Sequence, residues 1–106
     1  MIRVYGSPLC PDCVAFKNNL DADAIPYEFI DITSAIPKLK EFLNLRDHDP
    51  VFDQVRKNGS VGIPAIVKED GKVTTDWQKV IREAGFQPVE NPDAGEACSL
   101  DHPGNC

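Results

Sequence analysis

Residues 4–13 read VYGSPLCPDC, a strand-like apolar run followed by a Gly-Ser-Pro break and two cysteines three positions apart. The break ends the strand, and the chain is then predicted to enter a helix with Cys10 at its N-cap and Pro11 at its first position. A cysteine at an N-cap directs its sulfur toward free backbone N–H groups and the positive end of the helix dipole, which stabilise a thiolate. This segment therefore predicts a strand, a turn and a helix that begins with a reactive thiol.

The second cysteine, Cys13, lies on the first turn of the same predicted helix and can form a disulfide with Cys10. Cys10 is expected to attack a substrate disulfide, and Cys13 to resolve the mixed disulfide and release the reduced substrate. Pro11 stiffens the turn between them. The carboxylate of Asp12 disfavours a neighbouring thiolate, so we expect it to raise the pKa of Cys10 relative to a neutral residue and to give a comparatively reducing couple.

A C-x-x-C pair is also half of a zinc site, and zinc ribbons use two such pairs. This chain has four cysteines, but Cys98 and Cys106 do not form a second C-x-x-C. The strand before the first pair and the surrounding βαβ pattern favour redox chemistry. A metal or iron–sulfur binding protein that uses its cysteines only as ligands stays open as an alternative, and colour or bound metal on purification would favour it.

Apolar periodicity along the chain predicts the order strand, helix, strand, helix, helix, hairpin, helix. A helix between the first two strands implies that they pair in parallel, with a right-handed crossover, and Asp70-Gly71 predicts an antiparallel hairpin. The expected fold class is α/β, a four-stranded mixed sheet with helices on both faces. The predicted strands are Ile2–Tyr5, Tyr27–Ile32, Ala65–Lys68 and Lys72–Thr74.

Two helix starts are predicted from capping residues. Thr33 or Ser34 is expected to cap the second helix, whose apolar positions 36, 39, 42 and 43 are expected to face the core. Thr75 and Gln78 have the spacing of a capping box at the start of the last helix.

The charge balance limits the possible partners. The 106 residues include 17 acidic and 11 basic ones, a formal net charge of −6, so there is no cationic surplus for nonspecific binding to nucleic acid. No apolar run approaches the ~18 residues of a membrane span, and no secretory signal follows Met1. We therefore expect a cytoplasmic, monomeric protein that binds neither nucleic acid nor membranes, in a compartment that keeps thiols reduced.

Periodicity stops after residue 86, which divides the chain into a domain at 1–86 and a C-terminal tail at 87–106. The tail holds four acidic residues and no Lys or Arg, together with Cys98, His102 and Cys106. It can be unstructured, it can carry a Cys98–Cys106 disulfide, or the three side chains can be metal ligands completed by a fourth from elsewhere. A tail thiol within reach of Cys10 could also serve as an extra resolving or relay thiol.

A second functional signal is the tripeptide Gly62-Ile63-Pro64, which stands just before a predicted strand. Proline cannot supply an N–H to a strand ladder, so it marks a strand start or edge. A cis Ile63–Pro64 peptide would bring Pro64 beside the cysteines and leave the Ile63 backbone free to pair with an extended substrate. The alternative is an ordinary loop proline.

Taken together, residues 4–13, the 62–64 tripeptide, the hairpin at 70–72 and the final helix resemble the glutaredoxin branch of the thioredoxin superfamily, over residues 1 to about 86. The resemblance implies a thioredoxin-like fold and a thiol–disulfide oxidoreductase, with Cys10 as nucleophile and Cys13 as resolving thiol. It implies no tightly bound cofactor, electrons supplied by glutathione or by the thioredoxin system, and disulfide-bearing proteins as substrates. The candidate substrate contacts are Pro11, Asp12, Ile63, Pro64 and Asp76.

Several positions differ from the family's pattern. Ser7 and Val14 stand where the family carries basic residues, and Thr74-Thr75 replaces a Gly-Gly pair. These features help to seat glutathione in the family, so reduction by thioredoxin reductase is the alternative electron supply. Asp76 can contact the amine of glutathione or simply complement the dipole of the last helix.

The stretch between residues 45 and 60 is longer than a minimal glutaredoxin needs. It carries Arg46, Arg56 and Lys57, which offer a replacement anion site, or alternatively form a solvated helix face.

Overall fold

Residues 1–89, the part of the chain that the computed structural model describes, contain four strands and four α-helices. A single 3₁₀ turn, Pro50–Phe52, lies between the second and third helices. The observed order confirms the predicted one. The strands are β1 (Ile2–Gly6), β2 (Tyr27–Asp31), β3 (Ala65–Val67) and β4 (Val73–Thr74), and the helices are α1 (Pro11–Ala22), α2 (Ile36–His48), α3 (Asp53–Asn58) and α4 (Trp77–Glu83).

The strands form one mixed sheet in the order β2-β1-β3-β4. β1 pairs in parallel with β2, in a register that places Ile2 opposite Tyr27. On its other side β1 pairs antiparallel with β3, with Tyr5 opposite Ala65, and β4 completes the hairpin. The four-stranded mixed sheet predicted from the sequence is therefore confirmed. Because β1 is an inner strand, the loop that follows it begins in the middle of the sheet, between the ends of the neighbouring strands.

The core is divided between the two faces of the sheet. Val4 and Tyr5 are neighbours on β1 and point to opposite faces, as the period of two in a strand requires. Helices α1 and α4 cover the face of Val4, whereas α2 and the 3₁₀ turn cover the face of Tyr5. The α1–α4 core contains Val4, Ala15, Phe16, Leu20, Ile66, Trp77, Val80 and Ile81, and the α2 core contains Tyr5, Ile30, Ile32, Phe42, Phe52 and Ala65.

The helices thus lie on both faces of the sheet, as predicted. In the part of the chain that the structure describes, no helix combines the length and apolar character needed to cross a membrane.

The predicted cap of α2 is wrong. Its N-cap is Ala35, which supplies no side-chain hydrogen bond. Thr33 and Ser34 instead close a turn on Asp31: the Thr33 N–H donates to Asp31 Oδ1 at 2.8 Å, and Ser34 Oγ donates to the Asp31 carbonyl at 2.7 Å. Thr33 Oγ1 also donates to Asp31 Oδ1 at 2.5 Å, so both side chains are hydrogen-bonded before the helix begins.

The predicted apolar face of α2 is also only partly correct. Phe42 is buried and Leu39 packs partly against the α2 core, but Ile36 and Leu43 are exposed. Leu45 packs there as well.

The cap of α4 lies one residue later than predicted. Asp76, and not Thr75, is the N-cap, and its Oδ1 accepts a hydrogen bond from the Lys79 N–H at 3.1 Å. The Asp76 N–H in turn donates to Thr74 Oγ1 at 3.1 Å. Thr75 and Asp76 are both residue types that can cap a helix, so the sequence leaves two possible N-cap positions. In the structure Asp76 is the N-cap.

Buried Asn19 on α1 binds the last residue that the structure describes. Its Nδ2 donates to the carbonyls of Ala15 and Val89, both at 2.7 Å, and its Oδ1 accepts from the Val89 N–H at 2.8 Å. One side-chain amide therefore satisfies both backbone groups of Val89 and fixes the segment after α4 to α1.

Replacing Asn19 by alanine is expected to lower the free energy of unfolding by about 1–3 kcal/mol, because it removes the side-chain hydrogen bonds to Val89 and Ala15 and the packing of a buried side chain. Urea denaturation of the reduced protein measures the change. Asn18→Ala is a matched control, since Asn18 is exposed on the same helix and is expected to change stability by less than about 0.5 kcal/mol. Equal effects of the two substitutions would show that the Asn19 bonds do not stabilise the fold.

Candidate active site

The cysteine pair lies at the N-terminus of α1, beyond the end of β1. Cys10 is the N-cap and Pro11 is the first helical residue, as the sequence predicts. Both thiols are reduced, and Cys10 and Cys13 are only 5% and 1% exposed. Cys10 Sγ lies 4.0 Å from the carbonyl oxygen of Ile63, a residue 53 positions later in the sequence. The fold therefore brings the dithiol and the 62–64 segment together.

The pKa values of the two thiols are shifted in opposite directions. The thiol of Cys13 donates a hydrogen bond to Cys10 Sγ, and this lowers the pKa of Cys10, although burial acts against it. The backbone N–H groups of Cys13 and Asp12 lower it further, whereas the Asp12 carboxylate raises it, in the direction expected from the sequence. The pKa of Cys13 is raised, first because its proton is shared with Cys10 and then because of burial. The thiolate is therefore favoured at Cys10, whereas Cys13 holds its proton.

Gly6 is a site residue that the sequence alone indicates only as part of the break after the first strand. It belongs to β1, and a Cβ placed on it would lie 2.9 Å from Cys13 Sγ and 3.3 Å from a ring atom of Phe29. β1 can therefore pass beside the resolving sulfur only because this position lacks a side chain. The one signal for it in the sequence is a glycine at the end of a strand that leads to a C-x-x-C pair.

Asp12→Asn is expected to lower the pKa of Cys10 further, since it removes the carboxylate that opposes the thiolate. The rate of iodoacetamide alkylation should rise with pH around a midpoint below about 8.5, the pKa of a free cysteine. In the variant this midpoint should move to lower pH. Asp47→Asn removes the same charge from an exposed position on α2 and is expected to leave the midpoint in place. An unchanged or higher midpoint in Asp12→Asn would contradict the assignment.

The peptide bond between Ile63 and Pro64 is cis, as the sequence suggested. These two residues form one wall of a cavity of about 310 Å³, which we call the Asp12 cavity because Asp12 and Trp77 line it from the other side. The residues of α3 that line it include Gln54. Since the carbonyl oxygen of Ile63 also lies near Cys10 Sγ, the cavity opens beside this sulfur atom. The structure thus brings together Asp12, Ile63 and Pro64, three of the predicted substrate contacts.

Two other predictions have a different outcome. Asp76 is next to the cavity-lining residue Thr75, but one oxygen of its carboxylate caps α4. Arg46 and Arg56 do not form the replacement anion site, because their guanidinium groups bind backbone carbonyls. Arg46 donates to Val61 O at 2.9 Å and to Ser60 O at 2.6 Å, and Arg56 donates to the Arg46 carbonyl and to Asp53.

These bonds brace the segment between α2 and β3. The third cation, Lys57, is exposed on α3 and does not line the Asp12 cavity.

The tail residues Cys98, His102 and Cys106 lie outside the described residues. Within residues 1–89, no group of three His, Cys, Asp or Glu side chains is placed to hold a metal ion.

One relative of this chain was found among the curated proteins. It is a protein of Haemophilus influenzae (strain ATCC 51907 / DSM 11121 / KW20 / Rd) with the description "Uncharacterized protein", and it is 38% identical over 77 residues, which cover 73% of this chain and 90% of the relative. The chain belongs to the same family as that protein. No family model and no solved structure matches the chain.

Proposed function

We propose that this protein is a glutaredoxin-like thiol–disulfide oxidoreductase with a thioredoxin-like fold. The observation that carries the proposal is the position of the dithiol: Cys10 is the N-cap of α1, Cys13 lies on the first turn, and Cys10 Sγ lies 4.0 Å from Ile63 O beside the cis Ile63–Pro64 bond. The pKa shifts of the two thiols agree with a hydrogen bond from Cys13 to Cys10 Sγ. It stabilises negative charge on the first sulfur and keeps a proton on the second. This division of roles is what sequential attack and resolution require.

The reaction proceeds in two exchanges. The Cys10 thiolate attacks one sulfur of a substrate disulfide, forming a bond to it, while the other sulfur leaves as a thiolate and takes a proton from water. Cys13 then gives up its proton and attacks Cys10 Sγ, and the remaining substrate sulfur leaves as a thiol. The substrate has gained two electrons and two protons, and the protein holds a Cys10–Cys13 disulfide. Two reducing equivalents from an external dithiol or from two molecules of glutathione restore the pair.

The architecture supports the thioredoxin-like part of the proposal. The dithiol follows the inner strand β1, and a cis X-Pro bond precedes β3 on the neighbouring side, with Ile63 O opposite Cys10 Sγ. This is the arrangement that the resemblance to glutaredoxins implies. The Ile63 backbone then offers an extended substrate a place to pair beside the nucleophile. We place this activity in the cytoplasm, where reduced thiols are maintained.

The test is turnover of a small neutral disulfide, bis(2-hydroxyethyl) disulfide, with two reducing systems in parallel. One contains NADPH, glutathione and glutathione reductase, and the other contains NADPH and thioredoxin reductase. We expect NADPH oxidation to depend on the protein in at least one of them. If neither system supports turnover and Cys10→Ser changes no redox property, the proposal fails. Metal bound to the purified protein, lost together with Cys10 and Cys13, would instead favour the ligand role for the cysteines.

A further inference from the structure

The Asp12 cavity has an unusual charge balance for a site beside a reactive thiolate. In the part of the chain that the structure describes, Asp12 is the one charged side chain in its lining. The polar groups around it are uncharged amides and hydroxyls, and the remaining wall is apolar. The uncharged polar residues are Gln54, Asn58, Ser60 and Thr75. A ligand in this cavity meets the carboxylate of Asp12, and the other residues that line the cavity are uncharged.

None of the cations that are close in sequence to the lining residues lines the Asp12 cavity itself. Arg46 and Arg56 donate to backbone carbonyls, as described above. The N-terminus of α4, which adjoins the cavity at Thr75 and Trp77, already carries the carboxylate of Asp76 on the Lys79 N–H. The positive end of this helix is therefore partly neutralised by the protein's own acid. These features disfavour a ligand with carboxylates near its sulfur.

Exposed aliphatic side chains lie near Cys10 and the Asp12 cavity. Leu9, which directly precedes Cys10, is 81% exposed, and Val51 at the cavity wall and Val61 near it are also exposed. Exposed aliphatic side chains grouped beside a concave site are typical of surfaces that contact polypeptides. A tripeptide-sized thiol reaches few of them, whereas a polypeptide segment extends across both the cavity and this rim.

We propose that the Asp12 cavity is a subsite for a polypeptide disulfide whose residues next to the reacting cysteine are neutral or basic, and that it discriminates against anionic disulfides, glutathione disulfide included. This inference rests on the proposed oxidoreductase function and specifies its substrate class. A basic or amide side chain beside the substrate cysteine meets Asp12 and the amides of α3, while its apolar neighbours contact Leu9 and Val51.

The chemistry follows the two exchanges given above. Reduced protein and a peptide disulfide give the Cys10–Cys13 disulfide and two peptide thiols, so two electrons and two protons pass from the protein to the peptide. No further reactant is needed for a single turnover, and the charge preference can be measured without choosing an electron donor.

The experiment compares four disulfides: glutathione disulfide and the symmetric disulfides of three capped tripeptides with lysine, glutamine or glutamate on both sides of the cysteine. Released thiol is quantified by chromatography after mixing with reduced protein. Each rate is divided by the rate of the same disulfide with dithiothreitol, because charge also alters intrinsic reactivity toward thiolates. We expect the normalised rate of the lysine peptide to exceed that of the glutamate peptide about tenfold, and glutathione disulfide to react as slowly as the glutamate peptide.

Two variants assign the preference to this cavity. Asp12→Asn should reduce the ratio of lysine to glutamate peptide rates by about threefold to fivefold, and Gln54→Lys should raise the rates of the glutamate peptide and glutathione disulfide by a similar factor. Asp47→Asn is the matched control for charge, and it is expected to keep the ratio of the unmodified protein. Ratios are compared because Asp12→Asn also changes the reactivity of Cys10 itself.

Equal rates for all four disulfides, or a preference for glutathione disulfide, would overturn the inference while leaving the oxidoreductase function in place. A lysine preference that persists unchanged in Asp12→Asn would also overturn it, since the preference would then arise elsewhere on the protein. If none of the four disulfides reacts faster with the protein than with its Cys10→Ser variant, both proposals fail together.

Discussion

Replacing Cys10 by serine is expected to lower the rate of disulfide reduction by roughly a thousandfold or more, because a serine hydroxyl cannot replace the thiolate as nucleophile at neutral pH. Replacing Cys13 by serine has a different consequence. The first exchange still occurs at Cys10, but within residues 1–89 no second thiol remains to resolve its product. The Cys13→Ser variant should therefore accumulate a mixed disulfide between Cys10 and the substrate.

Mass spectrometry under non-reducing conditions distinguishes the two variants after incubation with a peptide disulfide. We expect a peptide adduct on Cys10 in Cys13→Ser and none on Cys13 in Cys10→Ser, since the pKa of Cys13 is raised and its sulfur is buried. Cys98→Ser and Cys106→Ser are matched controls that keep the Cys10–Cys13 pair, and each should still reduce the peptide disulfide and end with a Cys10–Cys13 disulfide. An adduct that forms equally well on Cys13 would contradict the assigned roles.

The largest effect on stability is expected from Phe16→Ala. Phe16 is 0% exposed in the α1–α4 core, and its ring lies 5.9 Å from that of Trp77 between ring centroids, in a tilted arrangement. Truncation removes most of the side chain and leaves a cavity, which costs about 3–5 kcal/mol, a large part of the roughly 5–15 kcal/mol that stabilises a domain of this size. The variant should be partly unfolded at temperatures where the unmodified protein is folded.

Urea denaturation followed by Trp77 fluorescence and by circular dichroism gives the loss in free energy. Phe86→Ala is the matched control, because the same side chain is 42% exposed there and its removal should cost less than about 1 kcal/mol. Similar losses in the two variants would show that the packing around Phe16 is not a main source of stability.

Much of the fold follows from local sequence signals. The α1 start is indicated by a proline after Cys10, and the hairpin by Asp70-Gly71, because both residue types restrict the backbone directly. The period of two in β2 predicts which residues face each side of the sheet, and Phe29 and Ile30 do pack against different cores. In these places one residue or a short pattern is enough to determine the structure.

Features that depend on competition between neighbouring polar groups were predicted less well. Thr33 and Ser34 are good caps in isolation, but Asp31 draws both into a turn. Similarly, the charge of Arg46 indicates an anion site only if its donors are not already bound to carbonyls, and the carbonyls of Ser60 and Val61 lie far along the chain. When several hydrogen-bond acceptors are within reach of one donor, the sequence does not indicate which acceptor the donor will bind.

The candidate site shows the same division. The C-x-x-C pair and Gly62-Ile63-Pro64 were recognised from spacing and residue type, and the structure places them together. The contact of Gly6 with Cys13 and the position of Gln54 in the lining of the Asp12 cavity are results of tertiary packing. α3 is separated from the dithiol by forty residues of sequence, so no local pattern indicates that it lines the same cavity.

The two-sided burial of β1 has an evolutionary consequence. Val4 belongs to one half of the core and Tyr5 to the other, so a backbone shift in this strand is felt by both. A substitution in α4 can be compensated by a change in α1, and one in α2 by a change in the 3₁₀ turn. Neither compensation requires a change on the other face of the sheet. Among related sequences we therefore expect residues to covary within each half, with β1 changing slowly as the element to which both halves are fitted.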